Sequence, residues 1–264
     1  MSALVTCAIA GGVATVALNN PDRRNAMSVE MADLLGETLS EIAASPAVRA
    51  VVLTGAGSAF CVGTDLSGAS GKRAMQGNSV AEDTARLRKS SRVVEQIYHL
   101  PQPVIAAING PCAGAGLSLA AAADFRIAAG TAVFNTAFLT AGFSGDLAGI
   151  WFLTHALGGA RARELFLTPG KFDAARAERI GLVSEVLPAA ELAAAAGAMA
   201  ERIAASAPIA LRAMKANLIE AQTAALGDYV GVEVDRMVHC FYTEDAKEAA
   251  SAFLEKRLPV FTGR

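Results

Sequence analysis

The run Gly114-Ala115-Gly116 follows the turn residues Asn109-Gly110-Pro111 and offers chemistry through its backbone. It opens what reads as an apolar helix to about Ala123, within the stretch PVIAAINGPCAGAGLSLAAAADFRIA from Pro103 to Ala128. Residues this small let another group approach the main chain, and the unpaired N–H groups of a helix start favour negative charge. The chemistry on offer is stabilisation of an oxygen that becomes negative during a reaction. Small residues also serve close helix packing, so this stretch taken alone leaves both readings open.

Side chains with chemistry are few. Ser118 lies in the same helix, with no His visible to activate it as a nucleophile. Asp65 is expected to fix its own turn, Asp124 to start a strand, and Glu82 and Asp83 to be solvated. His99, His155 and His239 show no metal-ligand spacing, and surface or packing roles suit each. The cysteines Cys7, Cys61, Cys112 and Cys240 are scattered, as expected of reduced thiols in a cytoplasmic protein, and no metal site is expected.

These residues need a scaffold, and the hydrophobic pattern supplies one. Leu4–Ile9 and Val13–Leu18 read as a hairpin about Gly11-Gly12. Ser28 is a plausible N-cap for a helix to about Ala44, with Met31, Leu34, Leu35, Leu39 and Ile42 on its apolar face. Val48–Thr54 is a strand, Gly55 to about Asn78 a loop, and Ala81–Leu100 a helix. Val104–Ile108 is a continuous apolar run, as for a strand buried on both faces. Asp124–Ala128 is the next strand, with Val133-Phe134 extending an edge and Leu182–Val186 as the last strand. Helices are expected over 147–157, 161–167, from Asp173 as a cap to before Gly181, and over 190–205, 209–221, 229–241 and 246–254. The Ala-rich run 189–200 is read simply as a strong helix former. Strands alternating with helices, then helices alone, predict an α/β core with a helical cap and no internal repeat.

Composition bounds the function. At 264 residues and 53% hydrophobic, the chain can bury one large core with an appended subdomain. A balance of 23 basic against 25 acidic residues argues against a nucleic-acid surface, while a local basic patch for a phosphate stays compatible with it. No signal peptide and no membrane-spanning run are visible, which with the cysteine usage gives a cytoplasmic expectation.

Two segments together narrow the choice. AFCVGTDL, placed after the strand Ala50–Thr54, and NGPCAGAGLSLA resemble the paired oxyanion-hole segments of the enoyl-CoA hydratase/isomerase family, the crotonases. The resemblance extends from NNPDRRNAMS near the start to AFLEKRLPVFTGR at the end. It implies a crotonase-like ββα spiral core over residues 1–188. A helical cap and oligomerisation region would follow over 189–264, in a homotrimer or hexamer. It also implies an acyl-CoA thioester as substrate, with no cofactor, nucleic acid or membrane as partner.

By the same resemblance, the oxyanion-hole donors are the N–H groups of Thr64 and Ala115. The two glutamates with which family hydratases handle water fall at Ser118 and Phe138, so both carboxylates are missing. Asp146, in GFSGDLAG, falls where many family isomerases carry an aspartate. Shifting a double bond takes a proton from one carbon and returns it two carbons along, so one carboxylate can suffice. Asp146 lies near Phe138, Phe143 and Trp151 in sequence, and the alternative is that it only caps a helix starting at Leu147. For the CoA, the resemblance points to Arg23, Arg24 and Ala26, and to Phe253 and Lys256, often from a neighbouring subunit. Either arginine offers forked donors to phosphate or is simply solvated. The expected activity is Δ3–Δ2 enoyl-CoA isomerisation. The alternatives are enoyl-CoA hydration and a non-catalytic acyl-CoA-binding scaffold.

Overall fold

A computed structural model describes residues 3–65, 77 and 79–264 of the chain. The remainder of the expected 55–78 loop lies outside the described residues. The hairpin forms as read: β1 (Val5–Ala10) pairs antiparallel with β2 (Val13–Leu18). From there the ladder turns parallel through β3 (Ala50–Gly55), β4 (Val104–Ile108), β6 (Phe125–Ala129) and β9 (Glu185–Leu187). A smaller sheet joins β5 (Cys112–Ala113), β7 (Val133–Asn135) and β8 (Phe172–Asp173). The last strand of the large sheet lies slightly later than the pattern 182–186 predicts, because Leu182 and Val183 turn into the core before pairing starts.

Both faces of the central strands are covered, which is why they read as continuous apolar runs. On one face Val51, Leu53, Val104, Ala106 and Ile108 meet Met31, Leu35, Leu39 and Ile42 of α1 (Val29–Ala44) and Val93, Val94 and Ile97 of α3 (Arg92–His99). On the other, Ala50, Val52, Ile105, Ala107, Ile127 and Ala129 meet Leu192, Ala196, Ala200 and Ala204 of α8 (Leu192–Ala204). The Ala-rich helix is therefore more than a good helix former. Its every-fourth small residues let it lie close on the sheet, a role propensity alone does not reveal.

The helix expected over 81–100 is in fact two, α2 (Val80–Ser90) and α3, meeting at Ser91. Ser90 Oγ bonds back to the Leu87 carbonyl at 3.2 Å, a contact that competes with the helical ladder and bends it. The bend lets α3 bury its apolar face while α2, with no buried residue, extends past the sheet. Ser28 caps α1 by accepting from Met31 N–H at 3.1 Å, and Asp173 caps α7 (Ala174–Arg179) from Arg176 N–H at 2.8 Å, as expected.

Behind β6 the C-terminal helices α9 (Pro208–Glu220), α10 (Leu226–Phe241) and α11 (Glu244–Glu255) complete the chain. Asp124 ties α9 to the sheet. One of its oxygens accepts both the Val104 N–H and the Lys215 ammonium, each at 2.7 Å. Lys215 is buried, which pulls its proton affinity below the usual lysine range, with the Asp124 charge opposing that fall. Asp124→Ala leaves that buried cation without its anion; because the Asp124 side chain is itself partly exposed, the expected cost in urea unfolding is about 1–3 kcal/mol. Adding Lys215→Met should recover part of the loss. A cost near zero would mean that water replaces the carboxylate.

Candidate active site

One cavity of about 270 Å³ gathers the site residues. Its walls include Gly63, Thr64, Gly114, Ala115, Phe138 and Asp146. They reach it from separate segments, Gly63-Thr64, Gly114-Ala115, Phe138 and Asp146, so the geometry depends on how the loops are tied together.

Thr64 is held by a short parallel bridge to Met27. Met27 N–H donates to Gly63 O at 2.8 Å, and Asp65 N–H to Met27 O at 2.9 Å. The bonds pass either side of Thr64, and among the described residues its own N–H meets no backbone acceptor. Met27 is fixed in turn by Asn25, which is fully buried. The Asn25 carboxamide accepts from Asn20 N–H at 2.8 Å and donates to the carbonyls of Ala56 and Ala59 at 2.9 and 2.8 Å. Asn25 stands at φ +55°, a left-handed conformation that Asn adopts more readily than most, so the residue type after Asp22-Arg23-Arg24 is the trace of this tie in the sequence.

Ala115 is the first residue of α4 (Ala115–Ala122), where no intrahelical acceptor exists for its N–H. Gly114 before it has φ +50° and donates to Asn135 O at 3.0 Å. The helix start is pressed against the other segment, since a Cβ at Gly63 would stand 3.2 Å from Ala113 O and 3.8 Å from Ala115 N. Between them, Cys61 and Cys112 form a β-bridge, with Ala113 N–H donating to Cys61 O at 2.9 Å. Both cysteines are fully buried, which pushes the Cys61 thiol up to about 12 and the Cys112 thiol well above the usual range. They stay protonated and serve as packing.

Asp146 enters from the segment before α5 (Gly149–Leu157). The helix does not start at Leu147 as supposed: Leu147 and Ala148 have φ of +52° and +51°, and α5 begins at Gly149. Asp146 is therefore not its N-cap. Its Oδ1 accepts from Leu147 N–H at 2.7 Å and from Ser91 Oγ at 3.3 Å. Consecutive left-handed non-glycine residues cost about 1–3 kcal/mol each, and such strain persists where surrounding contacts fix it.

Ser118 is buried beneath this turn. Its hydroxyl lies 3.1 Å from the Asp146 carbonyl and 3.3 Å from that of Gly114, bracing the acid's turn to the start of α4. Gly149 closes the space above, for a Cβ there would stand 2.2 Å from Ser118 Oγ. Phe138, at the other vacated carboxylate position, forms cavity wall with Leu87, Ala141 and Phe143.

Other expected residues lie elsewhere. Trp151 is not in the cavity; it packs edge-on against Tyr98, 5.5 Å between centroids, and against His155 at 4.0 Å. His99 stands against Tyr98, and His239 is exposed. Asp65 pairs with Arg23 at 3.3 Å. Arg23 and Arg24 are exposed and Ala26 is buried behind them. Asp83 pairs with Arg86 at 2.7 Å and accepts the Gly77 N–H. Phe253 and Lys256 lie at the exposed end of α11, away from the cavity within one chain. Among the described residues, no cluster of His, Cys, Asp or Glu could hold a metal ion, and no helix is long and apolar enough to cross a membrane.

A largely parallel sheet flanked by helices, with several loop segments meeting at a cavity, is the architecture this chain shares with enzymes of the crotonase superfamily. The family model for enoyl-CoA hydratase/isomerase matches residues 8–264, and the chain belongs to that family. It is 35% identical to 1,2-epoxyphenylacetyl-CoA isomerase of Escherichia coli (strain K12), over 96% of each chain. Among solved structures it resembles an enoyl-CoA hydratase from Bacillus anthracis, at TM-score 0.91 and 33% identity, covering 99% of this chain and 100% of that one. An enoyl-CoA hydratase from Polaromonas sp. JS666 is similar at TM-score 0.91 and 33% identity, covering 98% and 99%.

Proposed function

We propose that this enzyme shifts a double bond between the 3 and 2 positions of an enoyl-CoA, with Asp146 as the acid/base. The observation that carries the reading is the cavity itself. Asp146 is the acidic side chain among its described walls, which also include Thr64 and Ala115. The Asp146 carboxylate takes a proton from C2 of the 3-enoyl thioester. The N–H groups of Thr64 and Ala115 hold the thioester oxygen as it becomes an enolate, each contributing about 3 kcal/mol to the transition state. The protonated Asp146 then returns the proton to C4, so no water enters and no cofactor is required. Ser118 and Phe138 support the reading because neither offers a base to activate water, which hydration requires.

The CoA would lie along Arg23, Arg24 and Ala26, with Phe253 and Lys256 supplied by a second copy. Assembly as a trimer or a pair of trimers is supported by apolar residues left exposed on α9 and α10, among them Leu218, Val230, Val234, Met237 and Phe241. Residues 1–188 would then be the catalytic core and 189–264 the cap and assembly region, in a cytoplasmic enzyme.

The test is the ultraviolet absorbance of the conjugated thioester. A rise with a 3-enoyl-CoA is the expected result and means isomerisation. A fall with a trans-2-enoyl-CoA instead means hydration, and would overturn the argument from the two missing glutamates.

A further inference from the structure

We propose that Ser91 is a positioning residue that selects which oxygen of Asp146 carries the proton. The inference rests on the reading of Asp146 as acid/base. Oδ1 receives two donors, the Ser91 hydroxyl at 3.3 Å and the Leu147 N–H at 2.7 Å. Among the described residues Oδ2 receives none. A carboxylate rotates easily about its last torsion, since that torsion has broad, two-fold minima. Two donors converging on one oxygen remove that freedom and leave the other oxygen for the substrate.

The need follows from the reaction. One oxygen must take a proton at C2 and deliver it at C4, so it must lie within reach of both carbons on one face of the chain. A displacement of about 1 Å from such a geometry can cost about a hundredfold in rate. Leu147 N–H is the adjacent residue and moves with Asp146, so it sets the turn but not the turn's place. Ser91 comes from a separate element. It begins α3, whose Val93, Val94 and Ile97 are buried in the core, and it ends α2, whose Leu87 lines the cavity. The helix break at Ser91 thus sets a hydroxyl from the rigid core beside the acid. Because the hydroxyl is neutral, it can stay in place through both protonation states of Asp146.

The experiment compares Ser91→Ala and Ser91→Thr with wild type on a 3-enoyl-CoA, each also in an Asp146→Asn background. Ser91→Ala should lower kcat about tenfold with KM within about twofold, and Ser91→Thr should restore most of it by keeping the hydroxyl. In the Asp146→Asn background Ser91→Ala should cost nothing more, as expected for two residues acting through one group. If Ser91→Ala keeps wild-type kcat while Asp146→Asn lowers it about 10⁴-fold, the positioning role is wrong and the acid/base reading stands. If alanine and threonine variants lose kcat equally and raise KM, Ser91 acts through packing and the proposal fails. If Asp146→Asn itself leaves turnover unchanged, the underlying reading fails and this inference with it.

Discussion

Asp146→Asn is expected to slow the proposed double-bond shift by about 10⁴-fold while leaving the fold and acyl-CoA binding intact. Asparagine matches aspartate in size, and its amide oxygen can still accept from Leu147 N–H and Ser91, so the turn of left-handed residues keeps its ties. What it loses is the base. General acid–base catalysis by a positioned side chain contributes roughly 10²–10⁴-fold, and a single group performing both proton transfers should sit at the upper end. The measurement is kcat on a 3-enoyl-CoA, with binding of a saturated acyl-CoA by calorimetry as the control. A variant that retains most of its turnover would show that another group moves the proton. If acyl-CoA binds but neither wild type nor variant turns over, the scaffold reading takes over.

The second large effect is expected far from any ionisable group. A Cβ at Gly116 would stand 2.2 Å from Cys61 O, 2.7 Å from Cys61 Cβ and 2.8 Å from Cys61 C. These are largely main-chain atoms of a segment pinned by the Cys61–Cys112 bridge, so no rotamer change relieves the clash. In Gly116→Ala the start of α4 must move by about 1 Å, taking the Ala115 donor with it, and such a shift can cost about a hundredfold in rate. Overpacking of this kind costs about 1–3 kcal/mol, occasionally more. We expect kcat to fall about a hundredfold, with a clearly lowered Tm. Gly197→Ala in α8 is the matched control: nothing lies within 4 Å of the added methyl, and alanine should stabilise that helix by up to about 1 kcal/mol. Equal behaviour of the two variants would mean that close approach at Gly116 is not what the site depends on.

Sequence by itself determined a good deal of this enzyme. Val104–Ile108, buried at every position, announced a strand covered on both faces, and Ser28 and Asp173 announced helix starts through caps three residues long. Such features are local, decided by neighbours within a turn or a pleat, so periodicity and residue type reveal them. The two segments that meet at the cavity were legible through their resemblance to the paired segments of the crotonases, with glycines where the backbones come close. Tertiary structure alone decided the rest. Whether Asp146 caps a helix or faces a cavity depended on Leu147 and Ala148 turning left-handed, and whether Trp151 joins it depended on which side of α5 meets Tyr98. The ties that shape the site join Asn25 to Ala59, Ser91 to Asp146 and Gly116 to Cys61. Their partners are distant in sequence, and a hydrogen bond or a steric contact acts only at the distance the fold creates, so no pattern along the chain records it.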